Sequence, residues 1–322
     1  NDALLCFQER GFSQILFNSR VQIPVSDGVP IEISNGYKVE GSRYLSDIIG
    51  CANKWSIATT PYGVYFIDSN TESIYRYDGK LTNLSKDKGM DWWVKSINSA
   101  NIWSPKRTDS NSCGIRTFYD EKYGDVYFTP GFIDYTGPDA LCYSESLEQF
   151  TSLMSYGGVA AMVNYKNKSL SLYKDFILDT TCRLYENFAG DYNNFFGKTV
   201  GWNFSFIANE NPTYTKIFDT LDLRGDLFDK NGKLQTSDKK GPSAPITFLS
   251  VNNEYQNSGK VKVTSKNLRQ KFRVWRWIIP RQSKTRERIR NPWAMITLGY
   301  DPVDLYDSTK AVIHDVTVHY TI

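Results

Sequence analysis

Apolar and polar positions alternate in short runs along the chain, and turn formers interrupt them every few residues. Ile15-Leu16-Phe17, Val21-Gln22-Ile23-Pro24 and Ile31-Glu32-Ile33 are separated by Ser26-Asp27-Gly28, and Asn35-Gly36 closes the series. Period-two runs bounded in this way predict strands joined by turns. The rhythm is clearest from Trp55-Ser56-Ile57-Ala58-Thr59 through Pro61-Tyr62-Gly63 to Val64-Tyr65-Phe66-Ile67-Asp68, then across Ser69 to Ser73 into Ile74-Tyr75-Arg76-Tyr77 and Asp78-Gly79. Leu81 to Leu84 supplies a short outer strand. Three or four short antiparallel strands within about 35 residues is the size of a propeller blade.

The same rhythm returns. Tyr119 to Gly124 precedes Asp125-Val126-Tyr127-Phe128-Thr129, and Ala140 to Glu145 follows a Gly- and Pro-rich insertion. A third unit runs from Ala160 through Leu170-Ser171-Leu172-Tyr173 to Arg183-Leu184-Tyr185-Glu186. The spacing is uneven, so the expected fold is all-β: a degenerate β-propeller, then a β-rich, sandwich-like C-terminal part, with few short helices. Helix is expected only within Asp87 to Ala100, which carries Trp92, Trp93, Val94 and Ile97, and within Ser146 to Met154. From Trp202 the runs lengthen: Trp202 to Ile207, Thr220 to Arg224, Lys260 to Val263, Phe272 to Trp277, Ala294 to Leu298 and Ala311 to Ile322. This change divides the chain into propeller blades over 1–205 and a C-terminal β domain or closing strands over 206–322.

Composition strengthens the β reading. Aromatic residues make up 15% of the 322 residues, with 21 Tyr, 18 Phe and 8 Trp, and such side chains suit a pleated, half-buried surface. The formal net charge of +3 argues against a chain that binds polyanions as a whole. Cys6, Cys51, Cys113, Cys142 and Cys182 show no metal-ligand spacing and are expected to be free, mostly buried thiols. No apolar run is long enough to span a membrane. Asn1-Asp2-Ala3-Leu4-Leu5 lacks both the features of a secretory signal and a starting Met, which predicts a piece of a longer polypeptide.

Several strings carry a resemblance. Lys54-Trp55-Ser56 with Gly63 to Asp68, Tyr143 to Leu147, Leu184 to Asn193, Lys216 to Leu221 and Arg288-Ile289-Arg290-Asn291-Pro292-Trp293 resemble the tail nozzle, or muzzle, proteins of crAss-like gut bacteriophages. The resemblance covers nearly the whole chain and contains no catalytic signature. It implies a structural protein of the virion tail, assembled in the bacterial host cytoplasm. It further implies a homo-oligomeric, sixfold ring contacting neighbouring tail proteins, through which genome and ejected proteins pass, with a β-propeller as a major domain. Stable membrane insertion is not implied.

The residues themselves offer little chemistry, and no enzyme, cofactor or metal site is expected. His314 and His319, five apart in one strand, are expected on opposite faces. Asp68, Asp78 and Asp120 sit at turns, where aspartate caps its own backbone, and the Asp226 to Gly232 segment reads as a hairpin turn, not a calcium loop. An alternative reading is a carbohydrate-binding propeller using Tyr62, Trp92 and Trp93; a glycoside hydrolase is a more distant one. One local anomaly stands out. Lys266, Arg269, Lys271, Arg273, Arg276, Arg281, Lys284, Arg286, Arg288 and Arg290 fall within 25 residues, interleaved with Trp275, Trp277 and Trp293. Arg with Trp is the composition of protein–protein contacts, so this stretch is expected to form a subunit contact ahead of a plain solvated face or a lumen lining touched by passing DNA. Alternation places Arg273 with Trp275 on one face, and Val274 with Arg276 on the other.

Overall fold

The computed structural model describes residues 4–17, 20–23, 31–34, 39–99, 115–130, 140–154, 156, 159–174, 182–234, 244–264, 267–301 and 309–322. The turns expected at Ser26 to Gly28 and at Asn35-Gly36, together with Cys113 and Lys266, lie outside the described residues. The chain divides into two compact units, Asn1–Phe188 and Ala189–Ile322. The strand containing position 205 belongs to the second.

The first unit consists of antiparallel sheets in chain order. β1 (Leu4–Phe7), β2 (Phe12–Phe17) and, beyond the hairpin of β3 (Arg20–Ile23) and β4 (Ile31–Ser34), β5 (Val39–Ser46) form the first, ordered β1-β2-β5. The second contains β6 (Ala58–Thr60), β7 (Gly63–Asp68), β8 (Ser73–Tyr77) and β9 (Leu81–Asn83), each paired with the next. The third is the meander of β10 (Arg116–Asp120), β11 (Asp125–Thr129), β12 (Ala140–Ser144) and β13 (Gln149–Met154). The fourth contains β14 (Val159–Tyr165), β15 (Lys168–Lys174) and β16 (Cys182–Glu186). The three repeats expected from the sequence are the last three sheets.

These sheets pack face to face because their strands are apolar on both sides. Successive residues of a strand point to opposite faces, and Tyr65 and Phe66, adjacent on β7, are both fully buried. Phe66 meets Phe7 of the first sheet at 4.9 Å between ring centroids, and Tyr77 meets Phe12, also at 4.9 Å. Tyr65 points the other way and meets Tyr143 of the third sheet at 5.8 Å. Ile67, Ile74, Val126, Phe128 and Leu141 complete that junction. The third sheet in turn meets the fourth, where Asn164 Nδ2 donates to the Tyr119 carbonyl at 2.7 Å.

Two short helices, α1 (Leu84–Asp87) and α2 (Asp91–Ser99), follow the second sheet. Asn83 caps α1 by accepting from Lys86 N–H at 3.1 Å, a common role for asparagine. Trp93, Val94 and Ile97 of α2 are buried against the junction of the second and third sheets, at the spacing of one helix face. The helix expected over Ser146 to Met154 is instead a turn and a strand. Glu148 takes a left-handed φ of 50° in that turn, and Gln149–Met154 pairs with β12, so sheet pairing overrides a weak helical spacing. The strand expected from Trp55 begins only at Ala58, because Lys54–Ser56 is a 3-10 turn capped by Asn53.

The second unit is a sandwich of two sheets beside the small hairpin of β17 (Asn194–Phe195) and β18 (Lys198–Thr199). Its remaining strands are β19 (Trp202–Ala208), β20 (Lys216–Phe228), β21 (Phe248–Asn252), β22 (Val261–Lys262), β23 (Leu268–Lys271), β24 (Val274–Ile278), β25 (Arg290–Asn291), β26 (Ala294–Tyr300) and β27 (Lys310–Thr321). One sheet is ordered β19-β26-β21-β22. The other runs β23-β24-β20, with β27 on the far side of β20 and β25 against its first residues. A single core joins them: Leu249, Val251, Ile296 and Leu298 from one sheet and Phe218, Leu221, Leu223, Trp275 and Trp277 from the other. Gly299 is required where the sheet carries Phe248, since a Cβ there would lie 2.4 Å from that ring.

Neighbouring residues of β24 offer a direct test of this packing. Trp277 is 1% exposed and Ile278 68% exposed. Trp277→Ala is expected to cost about 3–5 kcal/mol, as for other buried aromatic truncations, and Ile278→Ala less than about 0.5 kcal/mol. Urea denaturation followed by a probe in the second unit would measure both, and equal costs would contradict the sandwich.

Candidate functional site

The basic stretch separates into inward and outward parts once folded. Trp275 and Trp277 are buried in the sandwich core, and Trp293 is half-buried. Arg269 and Lys271 lie on the edge strand β23, Arg276 points outward from β24, and Arg281, Lys284, Arg286, Arg288 and Arg290 are exposed between β24 and β26. Arg273 does not share a strand face with Trp275. With Phe272 it forms the two-residue turn joining β23 to β24, both at positive φ (52° and 64°), the geometry of a type I′ hairpin. The strand therefore starts at Val274, and its outward residues are Val274, Arg276 and Ile278.

The outward cations meet a row of aspartates on the central strand β20. Arg288 Nη1 lies 3.2 Å from Asp219, Arg276 binds Asp222 through two hydrogen bonds of 2.7 and 2.5 Å, and Arg273 lies 3.6 Å from Asp226. From the opposite side β27 engages the same carboxylates. Thr321 Oγ1 donates to Asp219 at 2.5 Å, His319 Nε2 lies 3.2 Å from Asp222, and His314 Nε2 lies 3.0 Å from Asp226. Arg224 of β20 pairs in the reverse sense with Asp315 of β27. The result is a ladder of charge pairs linking three strands across the outer face of the sheet.

Two irregularities make this ladder possible. The β20–β27 register shifts between Phe218 and Thr220, and again between Arg224 and Gly225, which leaves Asp219 and His314 as extra residues. A bulge of this kind adds one residue to one strand and changes which face later residues occupy. The expectation that His314 and His319 face opposite ways is therefore corrected. Both face outward, about half exposed, each against its own aspartate. The aspartates were missed in the sequence, although Asp222, Arg224 and Asp226 recur at every second position, the period of one strand face.

Electrostatics follows the geometry. The Arg276 hydrogen bonds hold the Asp222 carboxyl below the usual carboxylate range, helped by His319, and Arg224 does the same for Asp315. Arg273, Arg276 and Arg288 face carboxylates, and Arg269, Lys271, Arg281, Lys284, Arg286 and Arg290 add exposed cations beside them, so the surface is mixed in charge with a basic excess. Among the described residues no group of three or more His, Cys, Asp or Glu side chains is placed to hold a metal ion.

The other candidate groups behave as turn and core residues. Asp68, Asp78 and Asp120 accept from the N–H two residues on, at 2.9, 3.3 and 3.0 Å. Asp229 accepts from Asn231 and Lys233 in the tight turn after β20. Trp93 is fully buried, so the aromatic platform imagined for sugars loses its centre, while Tyr62 and Trp92 stay exposed. Cys6, Cys51, Cys142 and Cys182 are free, and burial pushes the Cys142 thiol up to about 11.

Two aspartates should respond to pH with opposite sign. Asp222 has a depressed folded-state pKa, so its stabilisation is present above the unfolded carboxylate value of about 3.9 and is lost as pH falls through the folded value. Asp222→Asn should lower Tm near neutral pH, by less in high salt, and the deficit should close on acidification. Asp120 is 1% exposed, and burial raises its carboxyl, with Asp125 adding to the rise. Its stabilising neutral form is complete below about 3.9 and is lost as pH rises through the folded value. Relative to the wild type, Asp120→Asn should therefore gain stability between about pH 4 and pH 7. Thermal melts across that range would check both signs.

Comparison with known proteins agrees with the resemblance in the sequence. Residues 1–175 match the crassvirus muzzle protein family, and residues 190–282 match the crassvirus muzzle protein C-terminal domain. A curated relative, the "Muzzle protein" of Bacteroides phage crAss001, is 44% identical over 326 residues. That match takes in 99% of this chain but only 22% of the relative's own length. From strand pattern to sequence match, the chain belongs to the crassvirus muzzle protein family.

Proposed function

We propose that this chain is a structural, non-enzymatic component of the short tail of a crAss-like bacteriophage virion. In this reading it forms part of a homo-oligomeric, sixfold ring at the distal end of the tail, next to other tail proteins, through which genome and ejected proteins leave. The observation that carries the proposal is the 44% identity to a muzzle protein across 99% of the chain. Four antiparallel sheets stacked in chain order support reading the first unit as propeller blades.

The outer face of the second unit is the candidate subunit contact. In its charge ladder Asp219, Asp222 and Asp226 are each held from two sides. Arg269, Lys271, Arg281, Arg286 and Arg290 extend it with further exposed cations. A polar surface of mixed charge suits an interface between protein subunits, and its row of carboxylates weakens any hold on passing DNA, since affinity for the phosphate backbone grows with the number of cations that meet it.

Gold-conjugated antibodies against this chain should label the distal tail of intact particles, and cryo-electron microscopy of purified tails should find it in a sixfold ring. Labelling confined to the capsid would reject the tail assignment, and a single copy per tail would reject the ring.

A further inference from the structure

In the first unit every inner sheet is covered on both faces. The fourth sheet is covered on one. Its inner face carries Asn164, which reaches the third sheet, and the buried Ser171 and Tyr173. Cross-strand register places Ala161, Leu172 and Leu184 in one row of the opposite face, and Val163 and Leu170 in the next. Val163 is 55% and Leu184 65% exposed.

A sheet with one solvated face normally alternates polar outward residues with apolar inward ones. Here the covered face mixes Val159, Met162, Tyr173 and Tyr185 with Asn164, Ser169 and Ser171, yet the centre of the open face is aliphatic, with Ala161, Val163, Leu170, Leu172 and Leu184. The ion pair at its turn end, Lys168 with Glu186 at 2.7 Å, is internally neutral. Like the junctions between the preceding sheets this face is apolar, but it is aliphatic where they are largely aromatic.

We propose that the outer face of β14–β16 receives a further antiparallel β-sheet, supplied by the remainder of the longer muzzle polypeptide. Two observations select this occupant. The face continues a series of sheet-on-sheet junctions made in chain order, and this chain corresponds to only 22% of the length of its curated relative. The inference rests on the stack of sheets and does not depend on the tail ring.

Cys182 is a built-in reporter. It is free and exposed, and it lies on the same face as Leu184, two residues away. With Cys6→Ser and Cys113→Ser introduced, its maleimide labelling rate can be compared between this chain and the full-length polypeptide, both dilute. Labelling should be fast in this chain and about tenfold or more slower in the full-length protein, because reaction then requires local opening of the junction. Leu184→Glu, or Val163→Glu if that variant does not fold, should restore fast labelling in the full-length protein. Equal rates in the two proteins would overturn the proposal. So would slow labelling of this chain at high dilution, which would mean that its own second unit covers the face. Slowing that grows with the concentration of this chain would overturn it in favour of a second copy.

Discussion

Tyr65 and Phe66 stand side by side on one strand, point in opposite directions, and are both fully buried. A strand can bury consecutive large aromatics only if its sheet is covered on both faces. That constraint explains the organisation of the first unit, where each inner sheet becomes the floor of one core and the roof of the next. The junctions are largely aromatic, and rings meeting at the offset or edge-on geometry of Tyr65 with Phe128 and Phe7 with Phe66 contribute beyond their buried area. The turns then need only close the meander, and Asp68, Asp78 and Asp120 do so by capping their own backbones.

The second unit meets the opposite requirement. Its long central strand β20 is apolar on one side only, and the sandwich core takes Phe218, Leu221 and Leu223. The other side remains wet and is filled with alternating charge. Each individual pair is exposed and weak, but Asp219, Asp222 and Asp226 each receive partners from both sides. Such a network fixes register more than it adds stability, because a slip of one residue would turn the charges into the core and a slip of two would set Asp222 against Asp315 or Arg224 against Arg276. The bulges at Asp219 and His314 belong to that design, since they bring the extra residue of each strand onto the charged face.

Much of this was legible in the chain itself. The strand rhythm, the three repeated sheets and the Asx turns follow from alternation and turn chemistry, which are local properties. The errors share a physical cause. Ser146 to Met154 has enough helical spacing to mislead, but its partner strand Ala140–Ser144 lies earlier in the chain, and pairing with it outweighs propensity. Period-two counting failed for His314 and His319 because one extra residue inverts the face of everything beyond it, and a bulge depends on the register of two strands together.

The amino-acid sequence by itself determined that the protein is all-β, that its first part repeats, and which family it belongs to, because these depend on residue order and local chemistry. Tertiary structure alone decided the meaning of the Arg- and Trp-rich stretch. As a string it is a basic, aromatic surface; folded, Trp275 and Trp277 turn into the core while Arg273, Arg276 and Arg288 meet aspartates roughly fifty to seventy residues earlier in the chain. Which cation finds a carboxylate depends on which strands lie side by side, and that is a property of the sheet rather than of any segment within it.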